Sequence, residues 1–423
     1  MESAPGIQSP PVARVHILAE RNMRWYFGTQ LISLTGMMLR TSILSLFIIK
    51  AVGIEKAPPI IGYIGALNVL PGAFLSPFAG IIVDRFDKRN ILYITAILGF
   101  LQALVLAMIT LGDPHTVALW QIYAVMGFTG FTNMIDGICR NAMIKEAIVN
   151  EYNKEIGNRM FNSLYTIAMV IGNWLSGYCV LAIGFTNSFV LNGASFLVLI
   201  WGLLNMNFTH RDRHKVVHPP GWKGLTEAFV NGLRYMWQHP CIKLCISLTA
   251  AITAIGYVFN LMMTVIAKQM FGGGPTDYSY LAAMSGIGSV LGSLVAIAWS
   301  KRSPITLIMV TGCIIEGCCQ LAASMTTHIH AGALAFAGSG FGFMLAFLPV
   351  RSAVNHLAKD DMVGKVLGVT FMCFYGGIMV SSVVAGYISK HFGCANMLYG
   401  CGLVLLAIAV MIPFLPGIKE IEK

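Results

Sequence analysis

Gly80-Ile81-Ile82-Val83-Asp84-Arg85-Phe86-Asp87-Lys88-Arg89 lies between two long apolar runs and gathers five charges into its last six residues. An apolar helix of about 20 residues fits the run ending at Val83, and a second begins near Asn90. The charged residues therefore form a very short connection at a membrane surface. Gly80 lets helices approach closely there. Asp84 can satisfy amide hydrogens at a facing helix N-terminus. Arg85, Lys88 and Arg89 mark the cytoplasmic side by the positive-inside rule. On these residues alone, an ordinary basic loop is the competing explanation.

Composition points the same way: 56% of residues are hydrophobic and 11% charged, with a mean hydropathy of +0.72. A soluble domain carries roughly twice that charged fraction. Apolar runs occur at 25–49, 59–83, 90–111, 117–139, 160–183 and 186–206, then at 241–267, 278–299, 304–325, 331–350, 366–388 and 395–415. They predict an all-α integral membrane protein of twelve spans in two sets of six. The predicted organisation is a cytoplasmic tail (1–24), a first bundle (25–206), a linker with an amphipathic helix (207–240), a second bundle (241–416) and a short tail (417–423).

The formal net charge of +10 suggests nucleic acid until the charges are located. Of 28 Lys and Arg residues, only Lys50, Lys56, Lys268 and Lys390 fall outside when the N-terminus is placed inside, and Arg40 lies within a span. The basic character is thus a topology signal, and nucleic acid is not an expected partner. The first 24 residues lack a short apolar segment with a small-residue cleavage site, so the tail is expected to stay uncleaved in the cytoplasm. The cysteines lie mostly in or beside apolar spans and read as buried free thiols. His210, His214 and His218 stand four apart just before Pro219-Pro220, with no thiol nearby, and read as solvated linker, so no metal is expected.

The pattern from Gly80 to Arg89 resembles the signature that the major facilitator superfamily carries between transmembrane helices 2 and 3. The commoner version has Gly in place of Asp87 and Arg in place of Lys88. Asp87 is similar to the branch containing macrolide and multidrug efflux proteins and enterobactin-type siderophore exporters. Gly28 to Gly36, with Ile32-Ser33 between, resembles the opening of the same branch, although Met37 stands where that branch often has an acid. Asn231 to Pro240 resembles its lead into helix 7.

The resemblance implies two pseudo-symmetric six-helix bundles and secondary active transport by alternating access. It also implies a conformational latch made of Gly80, Asp84, Arg85, Lys88 and Arg89 with Asp136 and Arg140 of the fourth span. Asp136 and Arg140 are one turn apart, so a simple intrahelical pair is the alternative. An internal repeat supports the duplication: Gly127 to Arg140 matches Gly338 to Arg351 in spacing, and Arg140-Asn-Ala-Met resembles Arg351-Ser-Ala-Val.

Intramembrane polar residues supply the other candidates, because each is costly in hydrocarbon. Arg40 lies about 20 Å along the first span at 1.5 Å per residue. It is read either as a substrate-cavity cation or as an arginine satisfying helix-end carbonyls. Asn133 of the fourth span, with Tyr257, Asn260, Met263, Phe343 and Phe347 of spans 7 and 10, is assigned to an adaptable cavity, against ordinary membrane packing. Glu316, about 18 Å along the ninth span, must be protonated or paired there. With Asp136 it is a proton-coupling candidate, the alternative being a buried neutral hydrogen bond.

No phosphate-binding glycine loop or catalytic constellation occurs, so neither an enzyme nor a cofactor is expected. The chain is expected to export an amphiphilic small molecule, siderophore or drug-like, by proton antiport. It is expected to act as a monomer among membrane lipids, in a bacterial cytoplasmic membrane with both termini inside. A lysophospholipid flippase and a non-transporting membrane sensor on the same scaffold remain as alternatives.

Overall fold

A computed structural model describes residues 20–147, 151–206, 222–300, 302–357, 362–415 and 418. Thirteen helices follow in order: α1 (Arg21–Val52), α2 (Ala57–Arg85), α3 (Lys88–Ile109), α4 (Leu119–Ala147), α5 (Glu151–Asn205), α6 (Trp222–Gln238), α7 (Pro240–Gly256), α8 (Val258–Leu261), α9 (Met263–Phe271), α10 (Pro275–Trp299), α11 (Ile305–Met325), α12 (Ile329–Leu357) and α13 (Val363–Met411). No strand occurs among the described residues.

Among the described residues, eight helices are long and apolar enough to cross a membrane. Two of them double back. Gly184 breaks α5 with a φ of 76°, a conformation glycine adopts without steric cost. The reversal shows in the packing: Gly172 before the break and Ser195 after it both press on α1 around Thr35 and Gly36. Gly393 breaks α13 in the same way at φ 81°. Across that break the Ser389 hydroxyl donates to Met397 Sδ at 3.0 Å, a contact that eight residues of straight helix would spread to about 12 Å. α4, whose polar residues dilute its apolar character, and the segmented run α7–α8–α9 complete twelve passes.

Asp87, the departure from the commoner signature, has a local task. Its Oδ1 accepts the Arg89 backbone N–H at 2.8 Å, capping the N-terminus of α3 immediately after α2 ends. The end of the molecule carrying this turn is called the charged end below. The α1–α2 turn at Gly53 and the breaks at Gly184 and Gly393 lie at the opposite end. At the charged end α6 meets α7 at a bend of 106°. Met236 and Leu233 of α6 pack on the second half, while Val230 and Trp237 face outward.

The cores record how the halves sit. At the opposite end a single apolar core runs through both, joining Phe47, Ile48 and Ile64 to Phe259, Met262, Leu281 and Ala385. At the charged end each core among the described residues is confined to one half. One belongs to the first half, around Tyr26, Leu92, Ile144 and Leu199, and two to the second, a large one around Ile246, Met309, Phe343 and Val350 and a small one of Ala296, Ile308 and Leu345. Apolar burial therefore clamps the halves together at one end and leaves them individually packed at the other.

Candidate functional site

Closure at the opposite end is carried by hydrogen bonds as well as by apolar packing. Ser42 of α1 shares a 2.6 Å hydrogen bond with the Tyr278 hydroxyl of α10 and donates to Asn173 Oδ1 of α5 at 3.0 Å. Ser279 donates to the Asn173 carbonyl at 3.1 Å and accepts the Gly177 N–H at 2.8 Å. Beneath this seal lies a cavity of about 120 Å³, whose lining includes Ser42, Ser45, Asn68, Tyr257, Asn260 and Tyr278. Helix breaks put Tyr257 and Asn260 there. The seventh pass is interrupted at Tyr257 and again at Met262, which separates α7, α8 and α9.

From Tyr257 a chain of rings runs through the second half. Tyr257 meets Phe343 at 5.6 Å between centroids, Phe343 stacks on Phe347 at 5.5 Å, Phe347 meets Phe374 at 5.3 Å, and Phe374 meets Tyr375 at 5.3 Å. Phe371 stacks on Tyr375 at 6.3 Å and carries the Arg351 guanidinium 5.0 Å above its ring. Offset and tilted pairs at these separations are favourable, and the final contact is a cation–π interaction. Tyr165 of α5 stands within electrostatic range of Tyr257 and Tyr375 yet is 44% exposed, so it borders open space between the halves.

Sequence expectations and positions agree unevenly. Tyr257 and Asn260 line the cavity, and Phe343 and Phe347 form the ring chain behind it. Asn133 donates to Asn68 Oδ1, a cavity residue, at 3.4 Å. Met263 is 2% exposed inside the joined core and lines no cavity. Arg40, expected as a cavity cation, is 1% exposed and sits inside the first bundle. It donates to Gln102 Oε1 at 3.4 Å, while Gln102 is held by Thr129 and Thr132 at 3.0 and 2.7 Å. Helical periodicity points this side chain at α3 and α4 instead of at the second half. The cation that does face the opening, Arg351, lies at the end of its span, where the sequence reads as an ordinary topology charge.

Asp136 and Arg140 form the intrahelical ion pair, both buried. Arg140 also donates to Gln30 Oε1 and to Ser33 Oγ, the latter at 3.2 Å, while Thr95 donates to Asp136 Oδ1 at 2.9 Å. The Tyr26 hydroxyl closes the group on the Arg140 carbonyl at 2.7 Å. Asp136 also acts electrostatically on Arg40. The ion pair itself is between Asp136 and Arg140, while Arg40 is held by Gln102. Of the expected latch, Gly80, Asp84 and Arg85 lie outside the described side chains. Arg89 is tied to the second arm of α5, donating to the Leu203 carbonyl at 2.9 Å, and it lies over the Tyr93 ring. The Lys88 carbonyl accepts from Cys139 of α4 at 3.0 Å.

Glu316 is fully buried. Its Oε1 accepts from Gln320 Nε2 at 3.3 Å, and Oε2 has no partner. Gln320 Nε2 also approaches the Gly256 carbonyl at 3.5 Å, at the last residue of α7 before the break. A Cβ on Gly256 would stand 2.6 Å from Glu316 Oε1, so the carboxyl fills the space that glycine leaves.

The comparisons with known proteins agree with this architecture. The profile of the Major Facilitator Superfamily matches residues 26–382. Multidrug efflux pump Tap of Mycolicibacterium fortuitum is 22% identical over 84% of this chain and 87% of its own length. An uncharacterized MFS-type transporter, YfiS of Bacillus subtilis (strain 168), is 22% identical over 93% of this chain and 92% of its own. Among solved structures, the nucleoside transporter NupG superposes with a TM-score of 0.71 at 14% identity, covering 95% of this chain and 99% of that one. A bacterial homolog of the human lysosomal transporter Spinster, in an inward-facing and unoccupied conformation, gives 0.67 at 14% identity, over 94% of this chain and 98% of that one. At such identities the structures speak for the fold alone.

Proposed function

The chain belongs to the Major Facilitator Superfamily, and from that membership we propose that it is an alternating-access exporter of amphiphilic small molecules, driven by proton antiport. One observation carries this: a single core joins the halves at one end, while at the other each core among the described residues belongs to one half alone. That is the packing of a molecule that rocks about a central site, with one side sealed and the other open. The excess of Lys and Arg at the charged end supports a reading in which that end faces the cytoplasm. The described state is then read as inward-facing, with Ser76 of α2 still donating to the Gly368 carbonyl of α13 at 3.5 Å. The ring chain from Tyr257 to Phe371 gives an amphiphile aromatic surface at little conformational cost. Glu316 is the proton-carrier candidate, and Asp136 is already committed to Arg140.

A second proposal, a lysophospholipid flippase, has one observation in its favour. A groove of about 580 Å³ lies on the seam between α2 and α13, lined by apolar side chains and by the rings of Tyr63 and Tyr123. Its apolar lining suits an acyl chain.

Purified protein in liposomes with an imposed pH gradient distinguishes these functions. Gradient-dependent accumulation of a fluorescent amphiphile such as ethidium or N-phenyl-1-naphthylamine supports export. Transbilayer movement of a labelled lysophospholipid, without either amphiphile moving, supports the flippase. If nothing moves across these bilayers, the transport proposal fails.

A further inference from the structure

We propose that the space between the halves selects organic anions, with Arg351 taking the anionic group and the rings beside it taking the aromatic part of the same molecule. This rests on the transport proposal above and names its substrate class. The argument begins with the internal repeat. Arg140 and Arg351 occupy equivalent positions in α4 and α12, each thirteen residues after a matching glycine, Gly127 or Gly338. One turn before Arg140 stands Asp136, which pairs with it in the buried interior of the first bundle. One turn before Arg351 stands Phe347. The duplicated cation has lost its carboxylate and gained a ring.

The consequence is visible in the positions of the two arginines. Arg140 is 1% exposed, with its donors satisfied by Asp136, Gln30 and Ser33. Arg351 is exposed, and no carboxylate among the described residues lies within ion-pair distance of it. Its neighbours are aromatic: Phe371 at 5.0 Å under the guanidinium, and Tyr375 within electrostatic range. A ring face polarises toward a cation but supplies no counter-charge and no hydrogen-bond acceptor in the guanidinium plane. Among the described residues no acceptor holds its five N–H donors, which suit a planar, forked acceptor such as a carboxylate, sulfonate or phosphate. A ligand with an anionic group attached to rings can place the group on Arg351 and slide its rings along Phe371 and Tyr375. A neutral ligand of the same shape gains only the second contact.

The test uses a matched pair of probes. 8-Anilinonaphthalene-1-sulfonate and N-phenyl-1-naphthylamine share a ring system and differ by one sulfonate. Their binding is measured by equilibrium dialysis against the full-length protein in lipid nanodiscs, with empty nanodiscs as background. In the absence of a gradient this binding does not depend on translocation. Arg351→Gln is expected to weaken the sulfonate about tenfold, equivalent to ~1.4 kcal/mol, and to leave the neutral amine unchanged. Arg351→Lys, which keeps the charge and loses the fork, should fall between. Phe347→Asp restores the carboxylate that the first half possesses, and should abolish the sulfonate preference with Arg351 still present. Unchanged sulfonate affinity in Arg351→Gln overturns the proposal, as does an equal loss for both probes. Where that variant does not fold, Phe347→Asp with the sulfonate preference retained overturns it instead. Selective binding without transport of any compound overturns the export function while leaving the anion site standing.

Discussion

Ser42 Oγ and the Tyr278 hydroxyl lie 2.6 Å apart although 236 residues separate them, and this bond crosses from the first half of the molecule to the second. It exists only while the opposite end is closed. A buried hydrogen bond contributes about 1 kcal/mol net, so Tyr278→Phe should shift the population roughly fivefold toward the form open at that end. Spin labels placed at that end on α1 and α10 should report the longer distance more often. An unchanged distance distribution would assign closure to the apolar core alone.

Gly177 is a second control on the same end, acting through shape. A Cβ at this position would run into the Pro275 carbonyl oxygen, a backbone atom at the start of α10 that no side-chain rotation can move away. Gly177→Ala should therefore oppose closure while costing little in the separated form. The outcome to look for is loss of transport with normal expression and a label distance locked at the open value. Normal transport in this variant would mean that α5 and α10 slide past each other by another route.

The buried ion pair of the first bundle makes a stability prediction. Asp136→Asn leaves Arg140 buried without its carboxylate and takes away a negative charge that acts on Arg40, a loss on the order of 3–5 kcal/mol for a broken buried pair. Thermal unfolding in detergent should show a clear drop in Tm. Arg40→Met removes one of the two cations and fits the apolar interior, so it should restore part of that loss in the double variant. It should leave ligand affinity alone, since Arg40 is 1% exposed. A selective loss of binding in Arg40→Met would return Arg40 to the cavity.

What the sequence makes legible follows from what is one-dimensional in it. Span lengths, the charged turn at Asp84–Arg89 and the one-sided distribution of Lys and Arg depend only on position along the chain, and from them the twelve-pass fold follows. Azimuth is harder. Depth along the span singles out Arg40 as costly, but only packing shows that it turns toward Gln102 and away from the second half. Met263 fails for the same reason, being one residue past the Met262 break and rotated into the core. Arg351 is overlooked because it sits where topology charges belong. The signal was present nonetheless: aligning the repeat sets Asp136 against Phe347, so Arg351 lacks the carboxylate one turn before it that Arg140 has.

Glu316 offers the sharpest test of proton coupling, because its surroundings separate two roles cleanly. One carboxyl oxygen is bonded to Gln320 and the other has no partner, and Gly256 at the break of the seventh pass lies against it. If the group carries the coupling proton, Glu316→Gln keeps the shape and the Gln320 contact but cannot take up or release a proton. Accumulation of the test amphiphile should then lose its dependence on the pH gradient, with binding in nanodiscs unchanged within about twofold, well under the factor of ten that 1.4 kcal/mol represents. Gly256→Ala gives the structural control. Its added methyl would press on Oε1 from 2.6 Å and should cost about 1–3 kcal/mol by overpacking, read as a lower Tm. Full gradient-driven accumulation by Glu316→Gln would assign the carboxyl to bundle packing, and the coupling proton would then have to be carried elsewhere in the protein.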